Sequence, residues 1–439
     1  MRRKFRRKVR GFYILGKSIV RRRMWPGQCF FLLGNKGGEY LDEAHFAELF
    51  FIILHNENLV REGKLVYNEP KYLTWRIVCK RRVDMKRIGM LTSGGDCQSL
   101  NATMRGIGKS LFNYYGDDVE IIGFLNGYRG LMYDEYRTLT SRDFSGILDE
   151  GGTILGTSRQ PFKMMRVIED GFDKVEAMKH TYAAHNLDCL CVLGGNGSQK
   201  SAAMLKEEGC NVIGLPKTID NDLWGTDMTF GFQSAVNIAT DAIDCIHTTA
   251  ASHGRVFIIE VMGHKVGHLT LHAGIAGGAD IILIPEIPYD IKVVAEAIEK
   301  RTKEGKNFTI IAMAEGAISK DETGLKKKEL EKKRAKTPAA YELGQEITKL
   351  TGQEVRVTVP GHTQRGGRPC PYDRVLSTRV GAAAAQLIIK EKYGYLVGVH
   401  NNEIKPIPLE EVAGKLKYVD PKSSIIKETR LMGISFGDK

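Results

Sequence analysis

Asp220 and Asp222 flank Asn221 at the end of Gly214-Leu-Pro-Lys-Thr-Ile-Asp-Asn-Asp222. The apolar run 210–215 enters this stretch as a buried strand, so the turn places its acids at the carboxyl edge of a sheet. Open α/β proteins bind ligands at that edge. One carboxylate there can take a proton from a hydroxyl while its neighbour helps hold a cation. Taken alone, the stretch reads equally well as an Asx-rich turn that satisfies backbone groups. Four other turns weigh against that: Ser93-Gly-Gly95, Gly151-Gly152, Gly194-Gly-Asn-Gly197 and Gly263. Glycine lets the backbone approach an anion, and a helix that starts there offers N–H groups and its dipole. Several such turns at strand ends predict a polyphosphate laid across the sheet edge. Cations accompany them at Arg159, Arg255, Arg356, His362 and Arg365, the last within Gly361-His-Thr-Gln-Arg-Gly-Gly367. Guanidinium forks match phosphate oxygens, which predicts a sugar-phosphate pocket. Glu315 closes the buried-looking run 310–314, where a carboxylate suits sugar hydroxyls; its alternative is a helix N-terminal charge.

These residues need a scaffold of alternating strands and helices. Apolar runs predict strands at 87–91, 119–124, 189–193, 211–215, 256–261, 279–285, 308–314 and 355–359. Helical patterns start near Asn101, cover 174–185, include Ala202, Ala203 and Leu205, and fill 232–251. Such alternation predicts a parallel, doubly wound sheet. With 439 residues the chain is expected to form two such α/β lobes. Segment 320–336, rich in lysine and glutamate, reads as a solvated helix or excursion.

The net charge of +12 invites a nucleic-acid reading, but its distribution removes it. Residues 1–84 hold 19 Lys and Arg against 8 Asp and Glu, a net +11, which leaves +1 for residues 85–439. The first segment shows neither hydrophobic period over any length and reads as a basic extension outside the functional fold; a basic arm for polyanions or anionic lipid is the alternative. The eight cysteines contain no CxxC pair and read as reduced thiols of a cytoplasmic protein. Cys189 and Cys191 are expected on opposite faces of their strand. No apolar run approaches the ~20 residues needed to span a bilayer, so no membrane is expected.

The motifs TSGGD, GGTILGTSR, GGNGS, PKTIDND, the Met-Gly turn after SHGRV, AEG and GHTQRGG occur in the order found in 6-phosphofructokinases. From about Met85 to the C-terminus the chain resembles that family. The resemblance implies two phosphofructokinase-like lobes with the active site between them. Residues 85–230 plus about 365–415 would form the donor lobe, and 231–364 plus the C-terminal tail the fructose 6-phosphate lobe. It implies phosphoryl transfer from ATP, or from pyrophosphate in some branches, to the 1-hydroxyl of fructose 6-phosphate, with Mg²⁺. Asp220 would be the base, Thr218 would hold the transferring phosphoryl, Asp222 would complete the catalytic group, and Asn196 would stand at the metal position. Gly95, Arg159, Gly195, Asn196, Gly197 and Ser198 would line the donor site. Arg255, Met262, Gly263, His264, Glu315, Arg356, His362 and Arg365 would hold the sugar phosphate, beside Thr218 and Asp220. In the family the cations matching Arg255 and Arg356 reach in from a neighbouring subunit, which implies a homodimer or homotetramer.

Three positions depart from the family pattern. Cys97-Gln-Ser-Leu-Asn101 replaces Ala-Pro-Gly-Met-Asn, Asn196 replaces an Mg-coordinating Asp, and His264 replaces an Arg beside Gly263. Asn196 and His264 raise the alternative of a weakly catalytic regulatory subunit, against which stand Thr218, Asp220 and Asp222. An NAD kinase would share the GGNGS-type turn but not GHTQRGG. Donor choice turns on Gly197 and Lys217. Pyrophosphate users carry Asp at the former place and Lys at the latter; glycine leaves room for a nucleotide, and Lys217 also occurs in ATP users.

Family resemblance and the fall in charge both begin near Met85. A chain starting at Met85 is therefore expected to express, assemble and turn over fructose 6-phosphate like the full-length chain; loss of activity on removing residues 1–84 would make them a functional arm.

Overall fold

The computed structural model describes residues 85–439 and the backbone of four strands between residues 8 and 35. Expectations about the rest of 1–84 lie outside the described residues. The chain divides into two units at Lys86 and Arg87. The first contains an antiparallel meander of β1 (Lys8–Val9), β2 (Phe12–Leu15), β3 (Ser18–Trp25) and β4 (Gln28–Asn35). No sustained period announces these strands.

The second unit carries two sheets. The larger has seven strands in the order β15-β14-β9-β8-β5-β6-β7. These are β5 (Lys86–Ser93), β6 (Val119–Phe124), β7 (Tyr136–Leu139), β8 (Cys189–Gly194), β9 (Val212–Pro216), β14 (Tyr395–His400) and β15 (Glu403–Pro408). β5, β8, β9 and β14 run parallel, while both edge pairs are antiparallel. The smaller sheet is β11-β12-β10-β13, from β10 (Val256–Val261), β11 (Ile281–Leu283), β12 (Thr309–Ala314) and β13 (Val355–Thr358), all parallel. The expected doubly wound α/β architecture is present, and each of the eight strands expected from the sequence is found in it; β14, between β15 and β9, was not among them. β8 and β9 are buried along their whole length, which is why they read as unbroken apolar runs.

The edge strands escaped the sequence reading. β7 is exposed at three of its four positions, and β15 contains Pro406 and Pro408. An edge strand tolerates proline because one row of its backbone groups needs no partner. β14 and β15 join through Asn401 and Asn402, both in the left-handed region (φ 51° and 63°), the backbone of a tight hairpin turn. Cys189 and Cys191 correct another expectation. They share one core cluster with Leu193, while Leu190 and Val192 pack in the other. A strand's side chains alternate with a period of two, so residues two apart share a face. Segment 320–336 is a short 3₁₀ turn, Lys320–Glu322, followed by the helix Lys327–Lys336. Arg334 ties that helix inward through Ala317 O (3.3 Å) and the buried Glu322 (2.7 Å). Among the described residues no helix is long and apolar enough to cross a membrane.

Helix Leu100–Tyr115 follows the Ser93-Gly-Gly95 turn and crosses helix Pro371–Ile389. The crossing is close because Gly106 and Gly381 face each other. A Cβ on Gly381 would lie 2.4 Å from the Thr103 carbonyl oxygen and 2.9 Å from Gly106 Cα. Both neighbours are backbone, so the helices themselves would have to part. Gly381→Ala is therefore expected to destabilise the protein by about 1–3 kcal/mol, read as a lower urea midpoint at unchanged slope; a midpoint equal to wild type would show that the crossing relaxes freely.

Candidate active site

The acidic turn leaves β9 at Pro216, and Lys217 forms a parallel bridge with Phe230. Thr218 is buried; its Oγ1 accepts the Asp220 amide (3.0 Å), and its carbonyl accepts Thr229 Oγ1 (2.8 Å). Asn221 adopts φ +52°, a left-handed conformation that Asn tolerates because its amide makes local hydrogen bonds. Asn221 Oδ1 accepts from the Thr229 amide (3.1 Å) and from Lys417 Nζ (3.0 Å), and its Nδ2 donates to Asp227 O (3.2 Å). The inversion at Asn221 separates two carboxylates that still feel each other. Burial, then the Asp222 charge, pushes Asp220 up to about 6. Arg365 and His264 pull it down, and Glu315 pushes it up. Burial also raises Asp222, opposed by Thr218, Lys217 and Lys417. Asp222 Oδ1 is buried with no hydrogen-bond partner.

The glycine turns gather beside this one. Gly94 (φ +86°) donates to Ser158 O (3.0 Å), and Thr157 Oγ1 donates to Gly94 O (2.7 Å). The 151–159 turn thereby sits on the Ser93-Gly-Gly95 turn and brings exposed Arg159 next to it. Ser198 Oγ donates to Ser93 Oγ (3.0 Å), which joins the third turn. Helix Asn196–Glu207 begins inside that turn, so its first amides face the same edge. A Cβ on exposed Gly197 would meet nothing within 4 Å. Asn196 Nδ2 donates to Lys415 O. Lys217 is buried and donates to Gly95 O; burial, reinforced by Arg365, pushes it down to about 8.

The smaller sheet supplies the facing wall. Val261 of β10 pairs with Ala314 of β12, which sets Met262 level with Glu315. Glu315 Oε1 accepts the amides of Gly263 (3.3 Å) and His264 (2.8 Å). It is therefore not a helix N-terminal charge but the clamp of the Met-Gly turn. Gly263 has φ +144°, and a Cβ there would sit 2.7 Å from Val266 O. Gln364, fully buried, accepts the Met262 amide at Oε1 (3.2 Å), and its carbonyl accepts Gln98 Nε2 (3.0 Å). Arg365 Nη1 then reaches Asp96 O (2.9 Å), passing where a Cβ on Gly95 would lie 2.8 Å away. Arg365 Nε is buried and unpartnered.

The structure thus gathers Gly95, Lys217, Thr218, Asp220, Asp222, Met262, Gly263, His264, Glu315 and Arg365 around one cleft, with Arg159 and Gly195–Ser198 along its rim. His362 is exposed on the 3₁₀ turn Gly361–Arg365. Arg255 and Arg356 lie elsewhere. Arg255 precedes β10 whereas Met262 follows it, a separation of about 20 Å for a six-residue strand. Both arginines pair with Glu354, Arg255 Nε at 2.5 Å. Sequence reading missed Gln364, Gln98 and Lys417. Gln364 stood inside GHTQRGG, and its place beside Arg365 in that motif was the available signal. Lys417 carried none, because its partners lie about 190 residues earlier.

Residues 87–388 match the family model described as Phosphofructokinase. The chain is 53% identical over 365 residues to the ATP-dependent 6-phosphofructokinase of Spirochaeta thermophila, spanning 82% of this chain and 99% of that protein. It is 48% identical over 352 residues to the ATP-dependent 6-phosphofructokinase 3 of Bacteroides thetaiotaomicron, spanning 80% and 100%. The phosphofructokinase of Saccharomyces cerevisiae superposes with a TM-score of 0.65 at 30% identity, over 74% of this chain and 45% of that longer one. The pyrophosphate-dependent phosphofructokinase of Nitrosospira multiformis superposes at 0.68 with 18% identity, over 80% and 92%, a likeness of fold alone. Motif order, cleft geometry and near full-length relatives agree, and the chain belongs to the phosphofructokinase family.

Proposed function

We propose that this chain transfers the γ-phosphoryl group of ATP to the 1-hydroxyl of fructose 6-phosphate, giving fructose 1,6-bisphosphate and ADP in glycolysis. The observation that carries this reading is the convergence of Asp220, Asp222 and three glycine turns from the larger sheet with Glu315 and Arg365 from the smaller one. The names of the near full-length relatives support it. Asp220 takes the proton of the 1-hydroxyl as its oxygen bonds to the γ-phosphorus, and the β–γ bridging oxygen leaves with ADP. Asp220, raised by burial, is a stronger base than an exposed carboxylate while still ionised at neutral pH. Thr218 steadies the moving phosphoryl, and Arg365 offsets its charge. Glu315 and the amides of the Met-Gly turn orient the sugar, with His362 at the rim. Charge spreads over phosphoryl oxygens in such reactions, so positioning and cations do most of the work.

Among the described residues no cluster of three or more His, Cys, Asp or Glu is arranged to hold a metal. Mg²⁺, however, uses one or two carboxylates plus substrate phosphates. The unpartnered Asp222 Oδ1 suits such an ion, with Asp220 beside it and Asn196 on the phosphate side. Bound there, Mg²⁺ would neutralise phosphate charge. Arg255 and Arg356, level with the start of β10 and paired with Glu354, are proposed to serve the cleft of a second copy, which makes the active enzyme at least a homodimer. We assign residues 85–230 plus about 365–415 to the donor lobe, and 231–364 plus the tail to the sugar lobe. The cytoplasm is the proposed compartment, in line with six free cysteines among the described residues.

Fructose 1,6-bisphosphate formation with ATP and with pyrophosphate, measured side by side, tests the reading. ATP is the expected donor; pyrophosphate alone supporting turnover would shift weight to Lys217 as the donor-selecting residue. Gly197→Asp introduces a carboxylate into open space beside the nucleotide and is expected to depress ATP use far more than pyrophosphate use. Equal losses with both donors would remove position 197 from donor choice.

Asp220→Asn keeps size and hydrogen bonding but cannot accept a proton. We expect kcat to fall roughly 10²–10⁴-fold with a smaller change in sugar-phosphate KM. In the wild type a base raised to about 6 must be ionised to act, so kcat/KM should fall about tenfold per unit as pH drops below 6 and level off above it. An unchanged kcat in the Asn variant, or a profile flat through pH 6, would exclude Asp220 as the base.

A further inference from the structure

Lys417 stands outside every motif of the chain, yet all its polar groups bind parts of the site. Its ammonium is largely buried and spends its three donors on Asn221 Oδ1 (3.0 Å), Thr226 O (2.8 Å) and Asp227 O (2.9 Å). An ammonium has three donors, so none remains for a ligand. The Lys417 amide donates to Asp222 O (2.8 Å), and Leu416 bridges Leu223. Two residues earlier, Lys415 O accepts Asn196 Nδ2 from the donor turn. On the other side, Lys417 O accepts His268 Nε2 (3.2 Å), and the Val419 amide donates to Glu286 Oε1 (2.9 Å). Glu286 Oε1 in turn accepts the Gly267 amide (3.0 Å) from the loop that follows the Met-Gly turn.

Segment 415–419 therefore runs as a strap across three parts of the cleft. It touches the donor turn, the acidic turn and the loop behind the sugar-binding wall. Its centre falls on Asn221, the left-handed residue between Asp220 and Asp222. A left-handed non-glycine residue persists where its surroundings over-determine it, and the acceptors of Lys417 lie just there. We infer that Lys417 is a positioning residue for phosphoryl transfer: it acts through Asn221 and the Asp222 carbonyl to hold the acidic turn, and the strap around it couples that turn to the donor turn. The inference rests on the phosphofructokinase reading.

The test compares Lys417→Met, Lys417→Arg and Asn221→Gly in the full chain, with fructose 6-phosphate and ATP. Lys417→Met keeps the stem but no donor, and its kcat is expected to fall about a hundredfold, the scale of an ångström-sized misplacement of a reacting group, with KM for either substrate within a few-fold of wild type. Lys417→Arg should recover a substantial part of kcat. Asn221→Gly fits the left-handed backbone but removes the acceptor. It should lower kcat, its lost bonds to Thr229 and Asp227 being read separately in the thermal midpoint, and adding Lys417→Met to it should cost less kcat than Lys417→Met alone costs wild type. Should Lys417→Met fail to fold, Asn221→Gly and Lys417→Arg carry the test. Wild-type kcat in Lys417→Met or in Asn221→Gly would overturn the inference. So would losses that follow the thermal midpoint alone without recovery in Lys417→Arg. A wild-type chain that makes no fructose 1,6-bisphosphate would instead refute the underlying function.

Discussion

Asp220, Asp222 and Glu315 share one cleft, and like charges withdrawn from water are the constraint that the rest of the site answers. The Asp222 and Glu315 charges both raise the cost of ionising Asp220. The protein offsets that cost without dry one-to-one ion pairs, which leave little net stabilisation. Lys217 is bound to a backbone carbonyl, Lys417 to an amide oxygen and two carbonyls, and Arg365 to the Asp96 carbonyl. All three cations face the acids as field rather than as contact partners. Such a cleft keeps carboxylate oxygens and one guanidinium edge unpaired, as the buried Asp222 Oδ1 and Arg365 Nε illustrate. Those are the groups that the proposed phosphorylated substrate and its counter-ion would use.

The same constraint explains where glycine is required. A guanidinium must come close to the first turn to reach the acids, and any side chain at Gly95 would occupy its path. The Met-Gly turn must present two amides to Glu315 while its carbonyls point away, which needs the positive φ of Gly263. Glycine at 197 is different in kind. No neighbour demands it, so packing does not account for it and the space it leaves is open to a ligand. Local strain, close approach and free space are thus three separate reasons for glycine within one site.

Much of this was legible in the sequence because it is local. β8 and β9 read as strands since burial on both faces leaves no polar interruption, and the acids read as chemistry since they stand together at a strand end. Glu315 was legible as a site residue but not in its task, because the amides it clamps come from a turn 51 and 52 residues earlier. β15 was invisible: at a sheet edge, proline and exposed charge are permitted, so composition resembles a loop. Cys189 and Cys191 show a different failure, a misapplied period rather than a missing signal. Arg255 and Arg356 read as site cations from type and motif, whereas the fold sets them at the opposite strand end, paired with Glu354.

The path of the chain makes the acidic turn a product of the whole fold. β14 enters the sheet beside β9 only after the smaller sheet is complete, and the chain then turns back through residues 414–419 over the acidic turn. Local contacts within 218–229 hold Thr218 and Asn221, yet the last acceptor of Asn221 and the carbonyl of Asp222 are satisfied from nearly 200 residues away. Closing so long a loop costs only slowly increasing entropy, but its reward comes late, when both sheets already stand. A partly folded chain thus has its carboxylates without the geometry that makes them a site. Tying the left-handed residue between the two acids to one of the last segments laid down couples the reactive arrangement to completion of the fold.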